Sequence, residues 1–366
     1  RRGRSGGTAF QDSDANVYPA DRQIRKPVWF NYGTVAAMTA RPHGEADLAP
    51  AVIAGDRRAL ARAITLIEST KESDQVQAEK LLTAVLKHKR SAMRLGISGS
   101  PGVGKSTFIE ALGKLLTSHG HRVAVLAVDP SSRRSGGSIL GDKTRMEQLA
   151  RDPNAFIRPS PAGTTLGGVA RRTREAILLV EAAGFDVVIV ETVGVGQSET
   201  AVADMTDLFV LLVNPGGGDD LQGIKRGVME LADLVLVTKA DGDLVAAANR
   251  TASDYSAALR LMRPKYTNVH PAVLKVSAIK GEGVAEAWDK ARTLHESLQA
   301  AGTLAGLRSA QSRRWFWSEV QEALWQELSE DANLSARAKD LEVEVEAGRA
   351  LAYPAARALI RQLRNA

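Results

Sequence analysis

Apolar residues recur along this chain with two different periods, and the changes of period divide it into regions. From about residue 46 to 90 they return every three or four positions, which predicts helices. Leu60, Ile64 and Ile67 share one face of Arg57–Glu68, a segment that Asp56 can cap. A second segment has its apolar residues at Val76, Leu81, Leu82, Val85 and Leu86. Residues 38–90 are therefore predicted to form an N-terminal helical arm.

From Met93 onward, short apolar runs alternate with helical stretches. Runs without polar interruption are typical of strands that are covered on both faces. The predicted strands are Arg94–Ser98, Val123–Asp129, Phe185–Glu191, Leu208–Val213, Leu234–Thr238 and Val273–Ser277. Helices are predicted at Lys105–Ser118, Val169–Ala183 and Asp243–Leu261. This alternation predicts an α/β domain with a mostly parallel central sheet over residues 91–301.

The pattern becomes helical again after Gly302. One helical face carries Trp315, Phe316, Val320, Leu324 and Leu328, and further apolar helical segments cover Leu341–Val345 and Ala355–Leu363. Aromatic residues are enriched both in cores and at protein interfaces. The pattern alone therefore leaves two alternatives for residues 302–366: a hydrophobic plug on their own domain, or a dimer interface.

Charge and composition narrow the functional classes. The net charge is +6, but residues 1–37 contribute half of it, and no basic stripe is interleaved with aromatic residues. A nucleic-acid partner is therefore not expected. No apolar run is long enough to span a bilayer, so no membrane association is expected. The absence of cysteine excludes disulfides and fits a reducing compartment.

Residues 1–37 lack a sustained period, and we expect them to be a non-native or disordered extension. Our hypothesis is that Met38 is the native start. The alternative is a targeting peptide, and the acidic residues Asp12, Asp14 and Asp21 argue against it because transit peptides are poor in acids.

A phosphate-binding loop is the strongest chemical signal in the sequence. The stretch GSPGVGKS at residues 99–106 fits the pattern G-x-x-x-x-G-K-[ST] between a predicted strand and a predicted helix. Backbone N–H groups of such a loop wrap phosphates. Lys105 is expected to neutralise the β and γ phosphates, and Ser106 to ligate Mg²⁺. The predicted phosphate-binding residues are Gly99, Ser100, Pro101, Gly102, Val103, Gly104, Lys105, Ser106 and Thr107.

Carboxylates at the ends of predicted strands indicate a Mg²⁺ site beside this loop. Glu191 ends an apolar strand and is followed by Gly194, which leaves room for a backbone N–H near a γ-phosphate. Most P-loop GTPases have Asp at the position of Glu191. Asp129 also ends a strand, and Asp142 follows a glycine-rich stretch. Each is a candidate for the Mg²⁺ shell, and helix capping is an equal alternative for Asp142.

A guanine-reading motif follows a later strand. Residues Thr238, Lys239 and Asp241 fit the pattern [NT]-K-x-D, in which the aspartate accepts hydrogen bonds from guanine N1–H and the 2-amino group. Ser277, Ala278 and Ile279 end the last predicted strand and are expected to touch guanine as well. Together these motifs predict a P-loop GTPase that binds GTP or GDP with Mg²⁺.

Two loops are candidates for segments that sense the bound nucleotide. One contains Gly194 and Gln197. The other contains Gly216, Gly217, Gly218, Gln222 and Lys225, for which a plain connection is an equal alternative. Val195 occupies the position where many small GTPases carry a water-orienting Gln, so we expect slow intrinsic hydrolysis. Arg133, Arg134 and Arg145 are candidates for charge stabilisation.

The chain resembles the MeaB/ArgK family of GTPase chaperones. The resemblance covers roughly residues 46–366 and is carried by residues 99–106, Asp129–Ser132, Glu191–Glu199 and Thr238–Asp241. It implies a bacterial, cytoplasmic member that gates adenosylcobalamin loading and protects methylmalonyl-CoA mutase using GTP hydrolysis. It also implies an adenosyltransferase as a second partner, a nucleotide switch at residues 214–225, and homodimerisation through the C-terminal helices.

Three other functions compete with this interpretation. A metal-insertion GTPase would need a Cys/His cluster, but the chain has no cysteine and its six histidines do not follow metal-ligand spacing. A small-molecule kinase would need no guanine motif. A nucleotide-sensing scaffold would keep GTP bound without turnover.

Overall fold

The computed structural model describes residues 47–88, 90–128, 146–159, 166–192, 198–216, 226–266 and 269–364. All described residues belong to one compact unit that starts at Asp47. Its centre is a seven-stranded sheet in which every neighbouring pair of strands is parallel. The strands are β1 (Met93–Gly99), β2 (Val123–Val128), β3 (Ala155–Arg158), β4 (Val187–Thr192), β5 (Leu208–Val213), β6 (Leu234–Val237) and β7 (Ala272–Lys275).

The strand order is β3-β2-β4-β1-β5-β6-β7, so β1 lies at the centre with β4 and β5 beside it. Six of the seven strands were predicted, with ends that differ by one or two residues. The predicted strand Phe185–Glu191 begins instead at Val187. Just before it, the carboxylate of Asp186 accepts a hydrogen bond from the backbone N–H of Arg122. The prediction for Val273–Ser277 was also too long. Ser277 leaves the ladder, and its N–H donates to the carbonyl oxygen of Glu282.

Helices cover both faces of the sheet, as continuous apolar strands require. Between and beside the strands lie α4 (Lys105–Ser118), α5 (Glu147–Arg151), α6 (Leu166–Ala182), α7 (Ser198–Ala203), α8 (Arg226–Leu231), α9 (Val245–Leu261) and α10 (Val284–Ala300). One apolar cluster contains Phe108 and Ile109 of α4 with Ile97 and Ile189 of the sheet. The other lies on the opposite face and includes Ile177 of α6.

The predicted N-terminal arm forms three helices, α1 (Leu48–Ile53), α2 (Arg57–Glu68) and α3 (Glu72–Leu86). The carboxylate of Asp56 caps α2 by accepting from the N–H groups of Arg58 and Ala59. Leu60 and Ile64 are fully buried against the same cluster as α6. The apolar face of α3 is narrower than its spacing predicted, because Val76 and Leu86 are exposed while Leu81 and Val85 are buried.

The C-terminal region forms α11 (Thr303–Glu330), α12 (Ala332–Glu346) and α13 (Ala352–Leu363). The first half of α11 is fastened to the sheet domain. Arg308 forms an ion pair with buried Asp207, and Gln311 Nε2 donates to the carbonyl oxygen of Thr206 at 2.8 Å. The second half of α11 exposes large apolar side chains. Within the described residues, no helix is both long and apolar enough to cross a membrane.

Candidate functional site

The phosphate-loop motif connects the central strand β1 to α4, at the carboxyl edge of the sheet. Gly99 packs so closely on β5 that a Cβ atom there would lie 2.5 Å from the carbonyl oxygen of Leu212. Gly104 has φ 98° and precedes the first residue of α4. Its left-handed conformation turns the chain into the helix, and it brings no side chain to cover the first N–H groups. Such a helix start is a ready anion-binding site.

Lys105 lies across this loop. Its ammonium group donates to the carbonyl oxygen of Gly99 at 2.7 Å and to that of Ser100 at 3.2 Å. The residue is 9% exposed, so its charge is held within the crevice. Ser106 is half-buried in the first turn of α4, and Thr107 beside it is exposed. The loop therefore presents one confined cation and one hydroxyl at the place where a phosphate chain is expected.

The chemistry of the oxygen donors fits Mg²⁺. Glu191 is buried near the end of β4, which is adjacent to β1 in the sheet. Strand residues alternate between faces. Glu191 thus shares a face with Val187 and Ile189, whose cluster includes residues of α4, the helix that carries Ser106. A carboxylate and a hydroxyl beside phosphate oxygens are ligands that Mg²⁺ prefers. Asp129 and Asp142 lie outside the described residues.

The guanine motif is joined to the phosphate loop by two hydrogen bonds. Thr238 Oγ1 donates to the carbonyl oxygen of Val103 at 2.7 Å, and the ammonium group of Lys239 donates to that of Gly102 at 2.8 Å. Lys239 has φ 51°, the one positive φ of a non-glycine residue in the described chain. Left-handed backbone outside glycine is sparsely populated and concentrates at functional sites. Sequence motifs far apart in the chain therefore form one crevice.

Asp241 is held by the loop that follows β7. The hydroxyl of Ser277 donates to Asp241 Oδ2. The Ser277 N–H is itself fixed by the carbonyl oxygen of Glu282 at 2.9 Å. Ala278 is half-buried, and Ile279 is 86% exposed. This arrangement orients the carboxylate that is expected to read guanine.

The switch candidates fall mostly outside the described residues: Gly194, Gln197, Gly217, Gly218, Gln222 and Lys225, together with Arg133, Arg134 and Arg145. Gly216 is described, and its N–H donates to Thr251 Oγ1 at 3.1 Å. The start of the glycine-rich loop is thus anchored on α9. Thr251 was not predicted, because a threonine within a helical pattern carries no signal of such a contact.

A hydroxyl pair inside the sheet was also missed. The side chains of Ser98 and Thr192 are hydrogen-bonded at 2.9 Å between β1 and β4. Both residues are buried. The available signal was a polar residue at the end of each buried apolar run, next to a functional motif.

Comparison with known proteins gives one consistent family. The profile described as "Methylmalonyl Co-A mutase-associated GTPase MeaB" matches residues 60–333. Among curated proteins, the chain is 53% identical over 281 residues to the mouse protein "Methylmalonic aciduria type A homolog, mitochondrial", covering 74% of this chain and 68% of the relative. It is 50% identical over 274 residues to "GTPase ArgK" of Escherichia coli, covering 75% of this chain and 83% of the relative.

A solved structure extends the match to the fold. The "LAO/AO transport system kinase" is 38% identical and superposes with a TM-score of 0.70, covering 88% of this chain and 99% of the other. The α/β P-loop fold with helical regions at both ends is therefore confirmed.

Proposed function

We propose a function from one established premise: the chain belongs to the MeaB family of methylmalonyl-CoA mutase-associated GTPases. It is a GTPase, as its relatives are. Our proposal is that it is a cytoplasmic chaperone that uses GTP hydrolysis to gate adenosylcobalamin loading of methylmalonyl-CoA mutase and to protect that enzyme. An adenosyltransferase is the proposed second partner.

The proposed binding of GTP is supported above all by the hydrogen bonds that join the guanine motif to the phosphate loop. Thr238 and Lys239 donate to the carbonyl oxygens of Val103 and Gly102. These bonds place Thr238 and Lys239, which lie close in sequence to Asp241, beside the loop that is proposed to wrap phosphates. This proximity supports the proposal that one nucleotide engages both motifs, with Asp241 selecting guanine.

Individual residues have defined proposed roles. Lys105 neutralises the β and γ phosphates, and the first N–H groups of α4 donate to phosphate oxygens. Ser106 and Glu191 would hold Mg²⁺, and Asp129 and Asp142 are proposed for its outer shell. When bound, Mg²⁺ would neutralise charge that develops on the phosphate oxygens. Asp241, with Ser277 orienting its carboxylate, reads the base.

Loop closure completes the proposal. Residues 130–145, 192–200 and 214–225 are proposed to close around the γ-phosphate and to be released after hydrolysis, an order–disorder switch. Val195 supplies no side-chain amide to orient the attacking water. Intrinsic hydrolysis is therefore expected to be slow and to depend on a partner for acceleration.

The C-terminal region is proposed to form a homodimer. Phe316, Trp317, Leu324 and Trp325 of α11 are between 49% and 69% exposed. Contiguous exposed apolar residues mark protein interaction sites, and aromatic residues are enriched there. A second copy would cover this face.

The decisive experiment compares GTP turnover with and without methylmalonyl-CoA mutase, with ATP as the control nucleotide. Slow GTP hydrolysis that rises at least about tenfold with the mutase, and no use of ATP, would support the proposal. Lys105→Ala should abolish turnover, whereas Lys114→Ala, on the exposed side of the same helix, should retain it. GTP hydrolysis indifferent to the mutase would remove the chaperone role. Phosphoryl transfer to an added amino acid would instead indicate a kinase.

A further inference from the structure

The hydrogen bond between Ser98 and Thr192 joins the two segments that carry the nucleotide chemistry. Their hydroxyl oxygens lie 2.9 Å apart, and the residues are 1% and 0% exposed. Ser98 directly precedes Gly99, where the phosphate loop begins. Thr192 directly follows Glu191 and is the last residue of β4. The bond therefore ties the phosphate loop to the strand end that bears the proposed metal carboxylate.

This bond continues the link between β1 and β4 beyond their backbone ladder. The paired register of these strands runs from Met93 opposite Val187 to Ile97 opposite Glu191. On the other side of β4, the pairing with β2 reaches one residue further, to Thr192. On the β1 side, the side chains of Ser98 and Thr192 make the connection at that level of the sheet.

The two hydroxyls depend on each other. A buried hydroxyl without a hydrogen-bond partner is costly, whereas an apolar side chain at a buried strand position is not. Thr192 is β-branched, so its side chain has few accessible rotamers. Pairing with Ser98 fixes that rotamer and the backbone that carries it.

The pair and the proposed metal ligand lie on opposite faces of one strand. Thr192 lies on the same face of β4 as Val188 and Val190, which pack in the apolar cluster that includes α6. Glu191 lies on the opposite face with Ile189, whose apolar cluster includes residues of α4. Holding Thr192 from one face therefore sets the backbone from which Glu191 projects on the other. Groups that orient a ligand in this way change metal affinity without touching the metal.

We propose that Ser98 and Thr192 are a positioning pair that holds the carboxylate of Glu191 at the distance from the phosphate loop needed to bind Mg²⁺. This inference rests on the proposed role of Glu191. It assigns to the two hydroxyls a function in metal affinity, separate from nucleotide binding itself.

The test measures metal affinity directly, with Mn²⁺ replacing Mg²⁺ in the GDP complex and free Mn²⁺ counted by electron paramagnetic resonance. Thr192→Val keeps the side-chain shape and removes the hydroxyl. It should weaken Mn²⁺ binding about tenfold, while GDP affinity in the presence of a chelator changes less than about twofold. Thr192→Ser keeps the hydroxyl and should retain the affinity of the natural protein.

A matched control is Thr173→Val, which removes another buried hydroxyl that donates to the carbonyl oxygen of Val169 within α6. It should leave Mn²⁺ affinity unchanged. Ser98→Ala should weaken Mn²⁺ binding like Thr192→Val, and the double variant should be no weaker than either single variant. Losses that add in the double variant would overturn the pairing.

Comparison with Glu191→Gln distinguishes the positioning role of Ser98 and Thr192 from the metal role of Glu191. If Glu191→Gln loses Mn²⁺ but Thr192→Val and Ser98→Ala both retain it, the positioning role is wrong and the metal role of Glu191 stands. If Glu191→Gln binds Mn²⁺ as tightly as the natural protein, both ideas fall. Should Thr192→Val not fold, Ser98→Ala decides alone, because unchanged affinity there overturns the proposal.

Discussion

The hydroxyl of Thr238 donates to the carbonyl oxygen of Val103 across 135 positions of sequence, at 2.7 Å. It also lies 3.2 Å from the carbonyl oxygen of Val213, at the end of the neighbouring strand β5. Thr238 therefore ties the guanine motif to both the phosphate loop and the sheet.

Replacing Thr238 by Val should weaken GDP and GTP binding together. The change removes a donor and leaves the buried carbonyl oxygen of Val103 without that bond, a cost of about 1–3 kcal/mol. The phosphate loop must regain its binding geometry when the nucleotide binds, so this cost appears as weaker nucleotide affinity, about tenfold for each 1.4 kcal/mol. Equilibrium titration with a fluorescent GDP analogue measures this loss. The control is Thr117→Val, which removes a hydroxyl that donates to the carbonyl oxygen of Lys114 at the far end of α4. This variant should bind GDP with the affinity of the natural protein.

Asp241→Asn should change which base is bound. The carboxylate can accept two hydrogen bonds from guanine, and bonds to a charged group contribute about 1.5–3 kcal/mol each. An amide offers one acceptor and one donor, which matches xanthine better than guanine. We expect GTP affinity to fall at least about a hundredfold and xanthosine triphosphate to be used in its place.

The matched control for this switch is Asp243→Asn, a change of the same type at an exposed position in the adjacent turn. It should leave GTP affinity unaltered. Equal GTP affinity of the Asp241 and Asp243 variants would remove Asp241 from base recognition.

The sequence predicted the local elements of the sheet better than their arrangement. Long apolar runs such as Leu208–Val213 identify strands because a sheet covered on both faces excludes polar residues. The short edge strand Ala155–Arg158 was missed, since its outer residues Ile157 and Arg158 are half-buried and resemble a loop. The strand order, with β1 between β4 and β5, depends on contacts distant in sequence and has no local signal.

In the candidate site, too, local motifs could be predicted and contacts between them could not. The spacing of glycines and lysine predicted the phosphate loop because its backbone needs conformations that glycine adopts most readily. Contacts between motifs, such as that of Lys239 with Gly102, depend on the fold and could not be predicted. The ion pair of Arg308 with Asp207 joins positions 101 residues apart, and no sequence pattern predicted it.

Charged replacements on the exposed face of α11 should prevent self-association. Trp317 is 59% and Trp325 is 69% exposed, and burying such side chains against a second copy is favourable by about 25 cal/mol per Å² of apolar surface. Trp317→Glu with Trp325→Glu should shift the sedimentation coefficient to that of a monomer. Leu261→Glu, at a position 90% exposed on α9, should sediment like the natural protein. A natural protein that is monomeric at all concentrations would contradict the dimer.

Asp207 should make stability depend on pH at the acidic end. Burial alone would raise the pKa of Asp207, but hydrogen bonds from Arg308 and from the backbone N–H of Arg94, together with the contact of His295 at 3.5 Å, outweigh it and lower the pKa from 3.8 to about 2. The pKa is lower in the folded state, so ionised Asp207 stabilises the fold above about pH 4. That contribution, about 2 kcal/mol, is lost as pH falls from about 4 to 2.

Asp207→Asn should therefore be most damaging near neutral pH. Removing the carboxylate leaves the guanidinium of Arg308 without its counter-charge, and breaking a buried pair typically costs about 3–5 kcal/mol. Urea unfolding should show this deficit at pH 7 and a smaller one as pH falls below about 4. Asp204→Asn, which breaks the more exposed pair with Arg314, should cost less than about 1 kcal/mol. A deficit for Asp207→Asn that stays constant down to pH 3 would show that the lost stability does not come from ionised Asp207, and α11 would then be held chiefly by its uncharged contacts such as that of Gln311 with Thr206.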